Sequence, residues 1–216
     1  MGIGLTEEHR ALAASVRGLA GRTVEHRALA AQGLLGLHLP EAYGGQGFGL
    51  VELCVALEAL GERRAPGPYL PTVLASAALA CSPPLSSDRQ PLLHGLATGS
   101  LTAAVVLMDP GVALGAAGAD LFLVPVADGW ALLDRDDVSA EPAEGVDLDR
   151  DLCTVTVRDV PAERVLGPVP VRELAALLLA ADSCGLAAWA VETAASYAKV
   201  REQFGRPIGQ FQGVKH

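Results

Sequence analysis

At Leu101 the spacing of apolar residues changes from a helical to an extended period, and at Val171 it changes back. That double switch confines the chain to a helical segment, a β segment and a second helical segment, an α+β architecture with domains over 1–100, 101–167 and 168–216. In the first segment Leu5, Leu12, Val16 and Leu19 line one helix face behind Thr6, a good N-cap followed by the dipole-favoured Glu7 and Glu8. This placement outweighs the formal match of residues 1–6, with Gly2 and Thr6, to a myristoylation pattern. A short helix is predicted over 23–31. Leu50, Leu53, Cys54, Leu57 and Leu60 define another helix that ends at Gly61. Pro66, Gly67, Pro68 and Pro71 break the chain before a helix over 72–80, Pro83 and Pro84 break it again, and 90–97 is the last helix of the segment. Residues 33–49 hold six glycines and end in G-x-G-x-G. The spacing is not G-x-G-x-x-G, so the stretch reads as a tight connection rather than a nucleotide cradle.

In the β segment, 101–108 is a buried-strand run, and apolar residues over 120–134 flank Asp128-Gly129, a hairpin turn signal. Cys153, Val155 and Val157 alternate with Thr154, Thr156 and Arg158, as in a half-buried strand. Pro161, Gly167, Pro168 and Pro170 read as a linker, after which helix runs over 171–204. Half the residues are hydrophobic and 19% are charged. This excludes disorder and leaves apolar surface that association would cover. With 16 basic and 25 acidic groups the net charge is −9, which disfavours nucleic acid and anionic membranes as partners. The most apolar run, 174–181, is too short to span a bilayer, so no membrane segment is expected. Cys54, Cys81, Cys153 and Cys184 are widely spaced and predicted to be buried free thiols of a cytoplasmic protein. His9, His26, His38, His94 and His216 show no metal-ligand spacing, and no metal is expected.

The stretch that carries chemistry is REQFGRPIGQFQGVKH, residues 201–216. Ala194, Tyr197, Ala198 and Arg201 continue the helical pattern, and Gly205 and Pro207 predict its stop near Phe204. On a helix, Arg201 and Phe204 would share one face. A guanidinium fork suited to phosphate would then lie beside a ring able to pack on a heterocycle. A salt bridge and a core contact are the plainer reading of the same pair.

The pattern R-x-Q-F-G-x-P-I-x-x-F-Q resembles the signature of the acyl-CoA dehydrogenase family of flavoproteins, and the P-E-x-Y-G-G-x-G string at 40–47 resembles that family's N-terminal domain. The resemblance implies the family's fold: a helical domain, a small middle β-domain and the start of a C-terminal helical bundle. It also implies that Arg201, Gln203 and Phe204, with Gln212 as a fourth, reach FAD held by a neighbouring subunit. The reaction implied is α,β-desaturation of an acyl-CoA thioester, fatty or steroid, with electron-transferring flavoprotein as acceptor. The partner expected is a homologous dehydrogenase subunit in a hetero-oligomer, with a homo-oligomer as the alternative.

Two departures from the family pattern bear on the role. The flavin-facing T-E-P-x-x-G-S loop and W-x-T strand are reduced to Asp109, Pro110 and Gly111, so the chain is expected to hold a flavin ring poorly by itself. The base glutamate of one branch, ten residues before Gly185-Leu186, is replaced by Ala175; Glu173 reads as a solvated helix-end charge, and no catalytic residue is assigned. In the larger branch the base lies beyond His216, which predicts an incomplete chain. A non-catalytic acyl-CoA-binding or assembly module that kept the fold is the alternative function.

Overall fold

A computed structural model of the protein describes residues 4–20, 25–82, 89–108 and 111–215. The predicted features at Gly2, Thr23, Pro83, Pro84, Asp109, Pro110 and His216 lie outside the described residues. The helical segment comprises α1 (Glu7–Ala20), α2 (His26–Ala31), α3 (Leu50–Glu62), α4 (Tyr69–Cys81) and α5 (Arg89–Thr98). Thr6 caps α1: its Oγ1 accepts a hydrogen bond from the His9 amide at 3.2 Å. α4 begins earlier than predicted, because Pro71 sits in its first turn, where a missing N–H removes no intrahelical bond. In the glycine-rich connection, an added Cβ at Gly45 would overlap the Leu39 carbonyl oxygen. The glycines there serve a close fold of the chain on itself.

The β segment forms two sheets. The first orders β1 (Ala103–Val105), β3 (Leu121–Val126), β4 (Gly129–Asp134) and β7 (Val165–Gly167); the second orders β2 (Val112–Leu114), β6 (Leu152–Val157) and β5 (Val138–Pro142). β1 runs parallel to β3, and the other pairs are antiparallel. Strand alternation divides the first sheet between two cores. Ala103, Leu121, Leu123, Trp130 and Leu132 join the helical core, while Ala104, Phe122, Val124, Ala131 and Leu133 meet Cys153 and Val155 of the second sheet. This explains why β3 is a continuous apolar run while β6 alternates. The β3–β4 turn is Ala127-Asp128 rather than Asp128-Gly129. Gly129 is needed for another reason, since a Cβ there would overlap the Gly167 carbonyl oxygen. The predicted linker thus contains a strand, β7, paired to β4.

From Val171 the chain forms α6 (Val171–Val200), packed on α3 and α4. α3 and α6 cross at backbone contact: an added Cβ at Gly185 would overlap the Glu58 carbonyl oxygen, and one at Gly61 the Asp182 carbonyl oxygen. Beside this crossing Asp182 is 3% exposed and takes both arms of Arg150, at 2.7 and 2.8 Å. That pair holds Arg150 protonated above its already high range and ties the β-domain to α6. α6 is longer than the 174–181 run, and one 18-residue window within it reaches a mean hydropathy of 1.8, enough by length and composition to cross a membrane, a test that core helices also pass. Its packed first half and buried ion pair are those of a helix that joins domains. Cys81 and Cys184 are exposed, not buried as predicted, because one ends α4 and the other lies on the outer side of α6.

Candidate functional site

The signature stretch is not helical. α6 ends at Val200, and Arg201 leaves it with extended angles, φ −72 and ψ 120. β8 (Glu202–Gln203) and β9 (Arg206–Pro207) then form a hairpin whose two-residue turn, Phe204-Gly205, has φ of +52 and +75. Positive φ at both central residues is the type I′ geometry that matches strand twist. The shared helix face predicted for Arg201 and Phe204 is therefore replaced by a different arrangement. Arg201 and Gln203, two apart in extended chain, point to one side, and Gln203 stands opposite Arg206 in register. Arg201, Gln203 and Arg206 consequently share one hairpin face, with Phe204 at the tip.

This arm is anchored at its base. The Arg201 amide donates to Tyr197 O at 2.8 Å, and its carbonyl accepts from the Ile208 amide at 2.8 Å. Gly209 packs against the end of α6, where an added Cβ would lie 2.9 Å from Ala198 O. Phe211 receives the edge of Phe204 at 6.2 Å between centroids and 80° between planes. The Arg206 guanidinium lies over the Phe211 ring at 4.1 Å. Phe204 is nevertheless 92% exposed and held in the left-handed region, a conformation costing a bulky residue about 1–2 kcal/mol. Among the described residues neither Arg201 nor Arg206 has a carboxylate partner. Gln212 opens α7 (Gln212–Lys215), exposed, and among the described residues no hydrogen bond joins it to the other three predicted site residues.

A second feature is a groove of about 550 Å³ lined by Val106, Met108, Gly111, Val124, Thr156 and Arg172, among others. Met108 and Gly111 belong to the loop that the sequence showed without hydroxyls. The groove has them all the same, because β6 supplies Thr154 and Thr156. Arg172 is fixed beside it by donating to Leu107 O at 2.8 Å. Ala175 is buried at 3%, whereas Glu173 is exposed and lines a separate shallow hollow with Trp130 and Pro168.

Residues 22–87 match the acyl-CoA dehydrogenase N-terminal domain, and residues 173–216 match the C-terminal domain. A solved structure of a Tcur3481–Tcur3483 steroid ACAD variant superposes with a TM-score of 0.83 at 34% identity, over 97% of this chain and 72% of that one. The chain belongs to the acyl-CoA dehydrogenase family. Acyl-CoA dehydrogenase FadE34 of Mycobacterium tuberculosis is 36% identical over 85% of this chain, and acyl-CoA dehydrogenase IpdE2 of Mycolicibacterium smegmatis 38% identical over 85%. The chain spans 27% of the first of these relatives and 56% of the second. The ChsE4–ChsE5 complex of M. tuberculosis matches over all of this chain and 73% of its counterpart, with a TM-score of 0.80 at 26% identity.

The family's helix, sheet, helix order is thus the one the apolar periods predicted. Arg206 and Phe211 are the arm residues that sequence reasoning missed. The available signal was the Phe204-Gly205 dipeptide between short polar pairs, a hairpin cue masked by the helical repeat running into Arg201.

Proposed function

We propose that this chain is a subunit of a flavin-dependent acyl-CoA dehydrogenase and that its arm completes an FAD site lying mainly on a homologous partner subunit. The observation that carries this reading is Phe204, kept in a costly conformation and 92% exposed, with a hairpin, a ring contact and two backbone hydrogen bonds fixing where it points. A protein surface seldom maintains strain and exposed aromatic area without a function for both. The donor set fits a dinucleotide approached from outside: Arg201 offers a fork for phosphate oxygens, Gln203 an amide, Phe204 a ring for a heterocycle, and Gln212 a further polar contact from α7.

FAD, when bound, supplies the hydride acceptor for α,β-desaturation of an acyl-CoA thioester, and electron-transferring flavoprotein would reoxidise it. The chain's own residues bind and orient. Ala175 has no group to take a proton, so the base belongs elsewhere in the assembly. Two of the matching solved structures are named as a steroid ACAD and as a two-component complex, which supports a steroid or fatty acyl thioester and a heteromeric assembly. Exposed Cys81 and Cys184 suit a reducing cytoplasm.

The test is co-expression with the neighbouring homologous subunit and a visible spectrum of each preparation. Stoichiometric flavin only in the complex, lost together with dehydrogenase activity in Arg201→Ala, supports the reading. Flavin bound to the isolated chain, or unchanged activity in Arg201→Ala, overturns it and favours an assembly module.

A further inference from the structure

We propose that Arg206 is a second anion-binding residue of the arm, one that acts with Arg201 on the diphosphate of the dinucleotide. This rests on the reading that the arm meets FAD. Three observations carry it. Register places Arg206 opposite Gln203, hence on the same hairpin face as Arg201. Its guanidinium stacks over Phe211 at 4.1 Å, which occupies the flat face of the group and leaves the in-plane N–H donors free. Among the described residues, no carboxylate neutralises either arginine. Two unpaired guanidiniums on one short, pinned hairpin repel each other, and an anion of two linked phosphates set between them converts that repulsion into attraction. The stack has a further consequence. Because Phe211 also receives the edge of Phe204, Arg206 fixes the ring pair while it faces the anion, so the aromatic and ionic contacts are set as one unit.

A purely packing role and an anion contact make different predictions about salt. The full-length protein, assembled with its homologous subunit and stripped of flavin, is titrated with FAD at about 0.05 M and about 0.5 M NaCl, where screening lengths differ several-fold. Flavin fluorescence reports the Kd without any turnover. Arg206→Ala is expected to weaken FAD binding on the order of ten-fold at low salt and by clearly less at high salt, where the wild-type contact is itself screened. Arg206→Lys, which keeps the charge and loses the fork, should recover part of the loss and all of the salt response. An equal loss at both salt concentrations in Arg206→Ala, or no loss, overturns the proposal. Arg201→Ala and Phe204→Ala, measured alongside, separate the two levels. If they leave FAD affinity unchanged, the shared-site reading falls and this inference with it; if they weaken it while Arg206→Ala does not, only this inference falls.

Discussion

The two halves of α6 are built from similar residues and live in opposite surroundings. The first half buries Val171, Leu174, Ala175, Leu178, Asp182 and Gly185. In the second, Val191, Tyr197 and Val200 are 70%, 55% and 75% exposed. Apolar content does not separate them; what lies opposite does. α3 offers Gly61 to Asp182 and the Glu58 carbonyl to Gly185, so the backbones meet and the neighbouring side chains interlock. Against the second half the chain sets Arg64, over the Trp189 ring at 4.5 Å, and Gly209, beside Ala198, and most of its residues stay exposed; it ends in an arm whose aromatic tip is 92% exposed. One helix therefore carries a completed interface and an open one, and substitutions on its two halves should report on different things.

The largest expected effect breaks the completed side. Arg150→Met leaves the Asp182 carboxylate buried and unpaired, a loss on the order of 3–5 kcal/mol. Urea denaturation should show it, and the double variant Arg150→Met, Asp182→Leu should recover most of it. If the single variant melts like the wild type, the ion pair does not hold the β-domain to α6.

Acid acts next. His38 is partly buried on the helical side, its Nε2 at 3.1 Å from Ser76 Oγ, and desolvation lowers its pKa to about 4. The folded state holds the neutral ring, so the contribution is fully present above the unfolded value of 6.5 and is lost as pH falls from 6.5 towards 4. About 3 kcal/mol should disappear across that window. His38→Leu should flatten this part of the pH–stability curve, while Arg206→Ala on the open side should leave it in place.

Gly185→Ala is a smaller probe of the crossing, with about 2 kcal/mol lost and the melting temperature down by several degrees. Ala195→Val, on the exposed half, should stay within about 0.5 kcal/mol. Equal losses at the two positions would mean that both halves are packed alike.

These contrasts also show what could be read from the sequence. The three segments and the strand alternation at Cys153 and Val155 were legible because burial on one side leaves a period. The arm residues Arg201, Gln203 and Phe204 were legible only through their resemblance to a family signature, and their geometry was not. Helix periodicity around Tyr197 and Ala198 runs smoothly into Arg201, and local spacing cannot register that the Arg201 carbonyl will be taken by the Ile208 amide. Arg206 was invisible for a related reason. The role proposed for it rests on strand register and on a ring five residues away, both products of the turn. The exposed thiols, Cys81 and Cys184, show a third limit: an apolar residue on a helix is buried only if something is packed against that side.

A small expected change in stability at the tip of the arm best separates the two halves. Phe204→Gly removes a left-handed strain of about 1–2 kcal/mol, since glycine enters φ +52 without a Cβ clash. It also removes the edge contact with Phe211, worth about 0.5–1.5 kcal/mol, and gains unfolded-state freedom that works against folding. These terms nearly cancel, so the melting temperature should move by only a few degrees in either direction. Flavin retention by the assembled complex should nevertheless fall on the order of ten-fold if, as proposed, this ring packs on the heterocycle. A residue that contributes little to the fold yet is required by a partner's cofactor belongs to the open interface. If Phe204→Gly instead destabilised the chain by several kcal/mol, the aromatic tip would be part of this chain's own core, and the arm would lose its claim to a neighbour's site.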